Sequence, residues 1–211
     1  MIIMTTKAEA FQQTDQLIRQ TFIELGASKP ISKITISDIT RQLGMNRGTF
    51  YLHYIDKAAL ITAIETDFMT QLTEILDKEI GETMHIENYY AGFPYPMLTE
   101  IFELIDQQRA LLKLLVGPNG DPYFIIGVRE LLLKSLLQQV AHLKGQAGFR
   151  GDLPDNYVGE IIVSGILDIV MIWLNEAKPI SKAAVIDIMM KTRFLSPYQL
   201  LGLPDNKKTS D

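Results

Sequence analysis

Apolar residues recur along this chain at spacings of three and four, and no stretch alternates apolar and polar positions over the length of a strand. The pattern therefore predicts an all-α protein. A first helix is expected from Thr6 to Leu25, with a buried stripe of Phe11, Ile18, Phe22 and Leu25, Gly26 as its C-terminal glycine and Pro30 blocking any continuation. A short helix over Thr35–Leu43 follows, with Thr35 and Asp38 at capping-box spacing and Ile36, Ile39 and Leu43 as its apolar face. Gly44 closes it. Asn46 is placed to cap a third short helix that ends near Tyr51 or Leu52, and Asp56 to cap a fourth that carries Leu60, Ile64, Phe68, Leu72 and Leu76 to about Ile80.

Gly, Pro, Asn and several aromatics between Gly81 and Pro96 predict an ordered connection. Beyond it the periodicity predicts helices over about Pro96–Leu115, Pro122–Lys144, Asp155–Ala177 and Ser181–Phe194, with Asp121, Asp155 and Ser181 as caps. Pro204–Asp211 reads as a frayed tail. No internal repeat is visible. This organisation predicts three regions: a helix-turn-helix head over residues 1–57, a larger helical body over 58–204 and a flexible tail over 205–211.

Composition narrows the function. The chain of 211 residues contains no cysteine, so disulfides, thiolate zinc sites and a cysteine nucleophile are excluded. Three scattered histidines include His85 and His142, which lack any neighbouring ligand pattern, and the turn Gly117–Pro122 lacks the lysine and hydroxyl of a phosphate loop. No metal site, cofactor or catalytic residue is expected, and the chain does not read as an enzyme. The N-terminus lacks a basic start followed by an apolar run, so a cytoplasmic location is expected. Ile161–Leu174 is the longest apolar stretch; interrupted by Ser164 and Asp168 and shorter than a span of roughly 20 residues, it reads as a buried helix rather than a membrane segment. The net charge is −5, yet residues 1–57 hold seven basic against five acidic groups, and the remainder 13 against 20. A cationic head on an anionic body orients the head toward phosphates.

The residues Thr35–Leu60, TISDITRQLGMNRGTFYLHYIDKAAL, carry the chemistry. Two short helices joined by a glycine turn are a helix-turn-helix, whose second helix meets base edges through its N-terminal residues. Gly48 permits close approach to a duplex, and Arg47 carries the fork that bonds guanine O6 and N7 together. Thr49 and Tyr51 can donate hydroxyls to phosphate, Thr49 alternatively a methyl to thymine, while Thr35 and Ser37 open the preceding helix toward phosphate or a base edge. Lys57 follows a helix N-cap, where its charge would add to the backbone donors that favour an anion. The bland readings are a solvated surface charge for Arg47 and head-core aromatics for Tyr51, His53 and Tyr54. Phe50 and Leu60 are expected to pack inward.

Together, Asp38, Ile39, Leu43, Gly44, Arg47, Gly48, Thr49, Phe50, Tyr51, His53, Tyr54, Lys57 and Leu60 make this stretch resemble the DNA-binding region of the TetR family of bacterial regulators. The sequence departs from that pattern at Ala58, a position often acidic in the family, and in the long approach Lys29–Lys33. The resemblance implies DNA contacts by Thr35, Ser37, Arg47, Gly48, Thr49, Tyr51, His53 and Lys57. It also implies a body that dimerises through its last two long helices, for which Ile162, Ile166, Ile169, Trp173, Ile186 and Met190 are the candidates. A second apolar stripe, Val163, Leu167, Val170 and Leu174, leaves the helix apolar on nearly all sides and in need of two partners. A pocket for a small apolar effector is implied as well, with Phe93, Tyr95, Met97, Phe102, Tyr123, Phe124, Met171 and Trp173 as candidates; core packing explains each of them equally. Gly117–Pro122 is similar to the mid-body turn of a low-GC Gram-positive subgroup. The expected function is a homodimeric repressor on a pseudo-palindromic operator, released by an effector. The alternative is a family-like adaptor acting through a protein partner with reduced DNA binding.

Overall fold

The computed structural model describes residues 6–79, 96–145, 148–149, 151–192, 195 and 197–202, and among them it contains ten α-helices, a short 3-10 turn and no strand. In chain order these are α1 (Lys7–Gly26), the 3-10 turn Ile31–Lys33, α2 (Ile36–Gln42), α3 (Arg47–His53), α4 (Lys57–Glu79), α5 (Pro96–Gln107), α6 (Arg109–Val116), α7 (Pro122–Lys144), α8 (Asp155–Asn175), α9 (Lys182–Thr192) and α10 (Pro197–Leu200). The expected connection over 81–95 and the tail over 205–211 lie outside the described residues.

Local chemistry sets most of these boundaries. Thr6 and Glu9 form a reciprocal capping box at the start of α1, and Thr35 and Asp38 form another at α2. α2 ends in a Schellman arrangement: Gly44 takes a left-handed φ of 62°, its N–H donates to Arg41 O, and Met45 N–H donates to Thr40 O at 2.9 Å. Asn46 Oδ1 accepts from Gly48 N at 2.8 Å to start α3, and Asp56 Oδ1 accepts from Ala59 N at 2.7 Å to start α4. Asp121 and Ser181 cap α7 and α9 in the same way.

Several elements differ from expectation. Pro96–Leu115 is two helices, because Gln108 leaves helical geometry at φ −106° and ψ 21°. Gly26 is the last residue of α1 rather than a left-handed terminator; a Cβ there would lie 2.4 Å from Leu114 Cδ2, so glycine serves the close approach of α1 to α6. Phe11 is about half exposed, and Leu25 is only partly buried. Asp155 does not cap α8; Pro154 holds that position, and the Asp155 carboxylate accepts from Phe149 N at 2.7 Å instead.

The chain divides into two compact units that interleave in sequence. The first comprises residues up to Thr73 together with Gln108–Glu130, and the second comprises Glu74–Gln107 and residues from Leu131 onward. In the first unit α1 packs on α2 and α6, and α2 on α3, around Ile18, Phe22, Ile39, Phe50 and Leu60, all fully buried. Phe68 of α4 meets Phe124 of α7 at a centroid distance of 5.6 Å. In the second unit α9 packs on α5 and α8. Phe102 of α5 sits edge-on to Trp173 of α8 at 5.2 Å, and Lys182 of α9 pairs with Glu103 and, at 3.7 Å, with Asp106.

Candidate nucleic-acid interface

α3 presents one face outward and one inward, and the sequence alone divides it this way only in part. Phe50 is wholly buried. Arg47 and Gly48 are exposed, Thr49 is half-buried, and Tyr51 is about half exposed, its ring standing edge-on to Phe50. The Arg47 guanidinium donates to Ser37 Oγ, which joins the N-terminal end of α3 to α2. A Cβ added at Gly48 would meet only Asn46 Oδ1, at 3.5 Å. Among the described residues nothing demands glycine there.

Thr35 is exposed, but its groups are engaged in the cap: the backbone N–H donates to Asp38 Oδ2 at 2.9 Å and the hydroxyl donates to the same oxygen at 2.8 Å. Lys29 Nζ reaches Asp38 Oδ2 at 2.6 Å and Arg41 reaches Asp38 Oδ1 at 2.8 Å. The hydrogen bond from Lys29 first, then those from Thr35, hold the Asp38 carboxyl well below the ordinary aspartate range. One carboxylate thus gathers the approach segment, the cap and the body of α2.

Two expected contact residues are placed differently. His53, the last residue of α3, has a side chain only 3% exposed; it stacks beneath Phe11 at 3.9 Å and points Nδ1 toward Asp15 Oδ1 at 3.8 Å. It faces α1 in the interior of the head, which is also how Phe11, though half exposed, is used. Lys57 directs its ammonium back into the 3-10 turn, donating to Ile31 O at 2.9 Å, Ser32 O at 3.3 Å and Ile34 O at 2.9 Å. All three N–H donors are taken by backbone carbonyls in this arrangement.

Sequence reasoning missed the polar cluster behind α3. The Tyr54 hydroxyl donates to Asp15 Oδ1, and Arg19 spans Asp15 at 2.7 Å and Asp67 at 2.6 Å with its guanidinium 5.8 Å from the Tyr54 ring. Burial first, and then the bond to Asp15, pushes the Tyr54 hydroxyl well above the ordinary tyrosine range. This cluster ties α1 to α4 across the end of α3. Asp15 and Arg19 stand at helical i and i+4 spacing, the one signal the sequence offered.

The expected pocket and dimer residues are placed as follows. Phe93 and Tyr95 lie outside the described residues. Tyr123 is 78% exposed, Phe124 packs on Phe68 within the first unit, and Met97, Phe102, Met171 and Trp173 belong to the second unit. Trp173, Ile186 and Met190 are buried within their own unit, Trp173 donating Nε1–H to Ile180 O at 2.8 Å, so they are core rather than surface. Ile166 and Ile169 are half-buried, and Ile162 is exposed. The open apolar face of α8 is instead Tyr157, Ile161, Gly165 and Ile172, with Asp168 among them. α8 is 21 residues long, and its most apolar 18-residue stretch has a mean hydropathy of 1.9 with only 28% of it buried. The expectation of a short, buried apolar run is corrected accordingly.

Comparison with known proteins agrees with this geometry. Residues 21–64 match the family described as bacterial regulatory proteins, tetR family, and residues 94–193 match the one described as transcriptional regulator C-terminal region. The chain is 32% identical over 97 residues to the HTH-type transcriptional regulator YvdT of Bacillus subtilis (strain 168), covering 46% of this chain and 48% of that protein. It is 30% identical over 100 residues to the HTH-type transcriptional regulator AcrR of Shigella flexneri, covering 47% and 41% respectively. The chain thus spans about half the length of the curated relatives it matches. The crystal structure of a TetR transcriptional regulator from Streptococcus agalactiae 2603V shares the fold over 88% of this chain and 96% of its own, with a TM-score of 0.60 and 22% identity. A capped helix-turn-helix head within one of these regions, and a helical C-terminal region matched by the other, establish that this chain belongs to the TetR family of bacterial transcriptional regulators.

Proposed function

We propose that the chain is a homodimeric repressor that reads a pseudo-palindromic operator with α3 and is released by a small apolar effector bound in its second unit. The observation that carries the DNA reading is the outward face of α3, where Gly48 is exposed and free of any internal packing demand. A glycine that the fold does not require is explained by close approach of something outside the fold, and a duplex groove supplies it. Arg47 reads a guanine from this face, and Thr49 and Tyr51 fix the helix on phosphate. Thr35 and Ser37 stand beside them, Ser37 steering Arg47 until a base replaces it. Lys57 and His53 act indirectly, by holding the 3-10 turn and the end of α3 in place.

A second copy of the chain is the partner proposed for the exposed stripe of α8. Lipid is a poor occupant, because Asp168 lies near the middle of that helix on an exposed position, and a central aspartate costs roughly 2.5–3.5 kcal/mol in a membrane helix. Two heads presented this way meet successive major grooves about 34 Å apart. An effector that prefers the unit with its heads at another spacing weakens DNA binding by that difference in affinity.

The test is selection of randomised duplex DNA by the purified protein at near-physiological salt, followed by sequencing. Enrichment of two half-sites one helical turn apart, lost in Gly48→Ala with folding intact, is the expected outcome. Recovery of no motif by a folded, dimeric protein would sink direct operator reading.

A further inference from the structure

Among the described residues of the second unit, the interior is polar at one place. Ser135 and Gln139 are its only buried polar side chains, 4% and 8% exposed, and they lie one turn apart on the same face of α7. Ser135 Oγ has no hydrogen-bond partner. Gln139 donates from Nε2 only to the Met97 sulfur on α5, at 4.0 Å, and a thioether is a weak acceptor. Buried hydroxyl and amide groups are paired as a rule, and leaving them unpaired lowers stability. One orphaned hydroxyl and, a turn away, an amide held by a weak thioether acceptor call for a partner that the described residues of the unit do not supply.

The chemistry of that partner follows from what surrounds the pair. α5, which brings Met97 to Gln139, also carries Phe102 packed against Trp173, so the setting is apolar and includes an adaptable thioether. No charged side chain is buried among the described residues of this unit. Lys182 is engaged by Glu103 and Asp106, and Lys144 by the carbonyls of Gly148 and Phe149. A carboxylate or ammonium brought to Ser135 would therefore stay unpaired in an apolar interior, at a large desolvation cost. A hydroxyl or carbonyl would not. Serine can donate to it or accept from it, and the glutamine amide can do the same.

We propose that Ser135 and Gln139 are the polar recognition point of a small-molecule site in the second unit, and that its ligand is an apolar compound bearing a neutral hydroxyl or carbonyl. This rests on reading the second unit as the effector-binding part, and it adds the class of effector.

The test uses four ten-carbon probes on the full-length protein: 1-decanol, 2-decanone, decanoate and decylammonium. Fluorescence of Trp173, the single tryptophan, and thermal shift report binding. Saturable binding of decanol and decanone, with decanoate and decylammonium at least about tenfold weaker, is expected. Ser135→Ala and Gln139→Leu should each weaken decanol about tenfold, and Ser135→Ala should melt at or above the wild-type temperature without ligand, because it removes an unpaired buried group. Equal binding of the charged probes, no binding of the neutral ones, unchanged decanol affinity in both variants, or a markedly lower Tm of ligand-free Ser135→Ala would each overturn the site. Operator release is measured separately. Decanol that binds without releasing DNA leaves the site standing and removes the effector reading, whereas release by a charged compound alone removes the site and keeps that reading.

Discussion

Arg47 and Lys57 are cations ten residues apart on one head, and the fold uses them in different ways. Arg47 is exposed and held only by a serine hydroxyl, so it can exchange that partner for a base; Lys57 is bonded to three backbone carbonyls. Lys57→Met should therefore destabilise the protein by about 1–3 kcal/mol, read as a lower Tm, since carbonyls lose a charged donor. Its operator affinity should fall with an unchanged salt slope; a slope smaller by about one would show instead that the ammonium swings to a phosphate. Asp38 gives a pH prediction at the same scale. Its carboxyl is held below the ordinary value of 3.8, so it contributes stability above that range and loses the contribution as the pH falls below it. The stability difference between wild type and Asp38→Asn should favour wild type at neutral pH and shrink on acidification below about 4. A difference that stays constant with pH would remove the ion pair and cap from the account. The residues readable from sequence were those whose role is local: the Thr35–Asp38 box and the Asn46 and Asp56 caps follow from spacing. His53 was not, because its burial depends on Phe11 from another helix.

At the scale of elements, glycines mark where helices meet or turn, for different reasons at different sites. The turn between α6 and α7 is closed by Gly120 N–H to Gly117 O at 2.9 Å and Asp121 N–H to Leu115 O at 3.0 Å. A Cβ at Gly120 would sit 1.9 Å from Leu115 O, a backbone atom that cannot rotate away. Gly120→Ala should lower stability by about 1–3 kcal/mol or more, whereas Gly48→Ala, on an open helical face, should leave Tm unchanged or raised. Thermal melts of the two variants side by side check this, and equal losses would contradict it. The starts of α2, α3, α4, α7 and α9 were legible because side-chain caps announce them. The break at Gln108 was not, since no proline or glycine marks it and apolar periodicity runs on through it.

For the whole molecule the surface proposed to hold a second copy is the outer stripe of α8. Ile161 is 71% exposed and Ile172 64%, on a helix whose opposite stripe, Val163, Leu167 and Leu174, is buried. The double variant Ile161→Lys, Ile172→Lys should sediment as a folded monomer and lose most of its operator affinity, because two heads would no longer bind as one unit. A variant that remains dimeric would place the interface elsewhere.

The sequence by itself determined most of the helices, the caps at Thr35, Asn46, Asp56, Asp121 and Ser181, and the glycine turn at Gly44, because these depend on contacts within three to five residues. Tertiary structure decided which apolar face of each helix is core. Both stripes of α8 look alike in sequence, and packing against α9, Phe102 of α5 and Leu133 of α7 makes one inner and leaves the other exposed. It also decided that Lys57 faces carbonyls, that His53 is interior, that Ser135 Oγ has no partner and that Gln139 donates only to the Met97 sulfur. Those facts depend on neighbours that folding brings from distant parts of the chain.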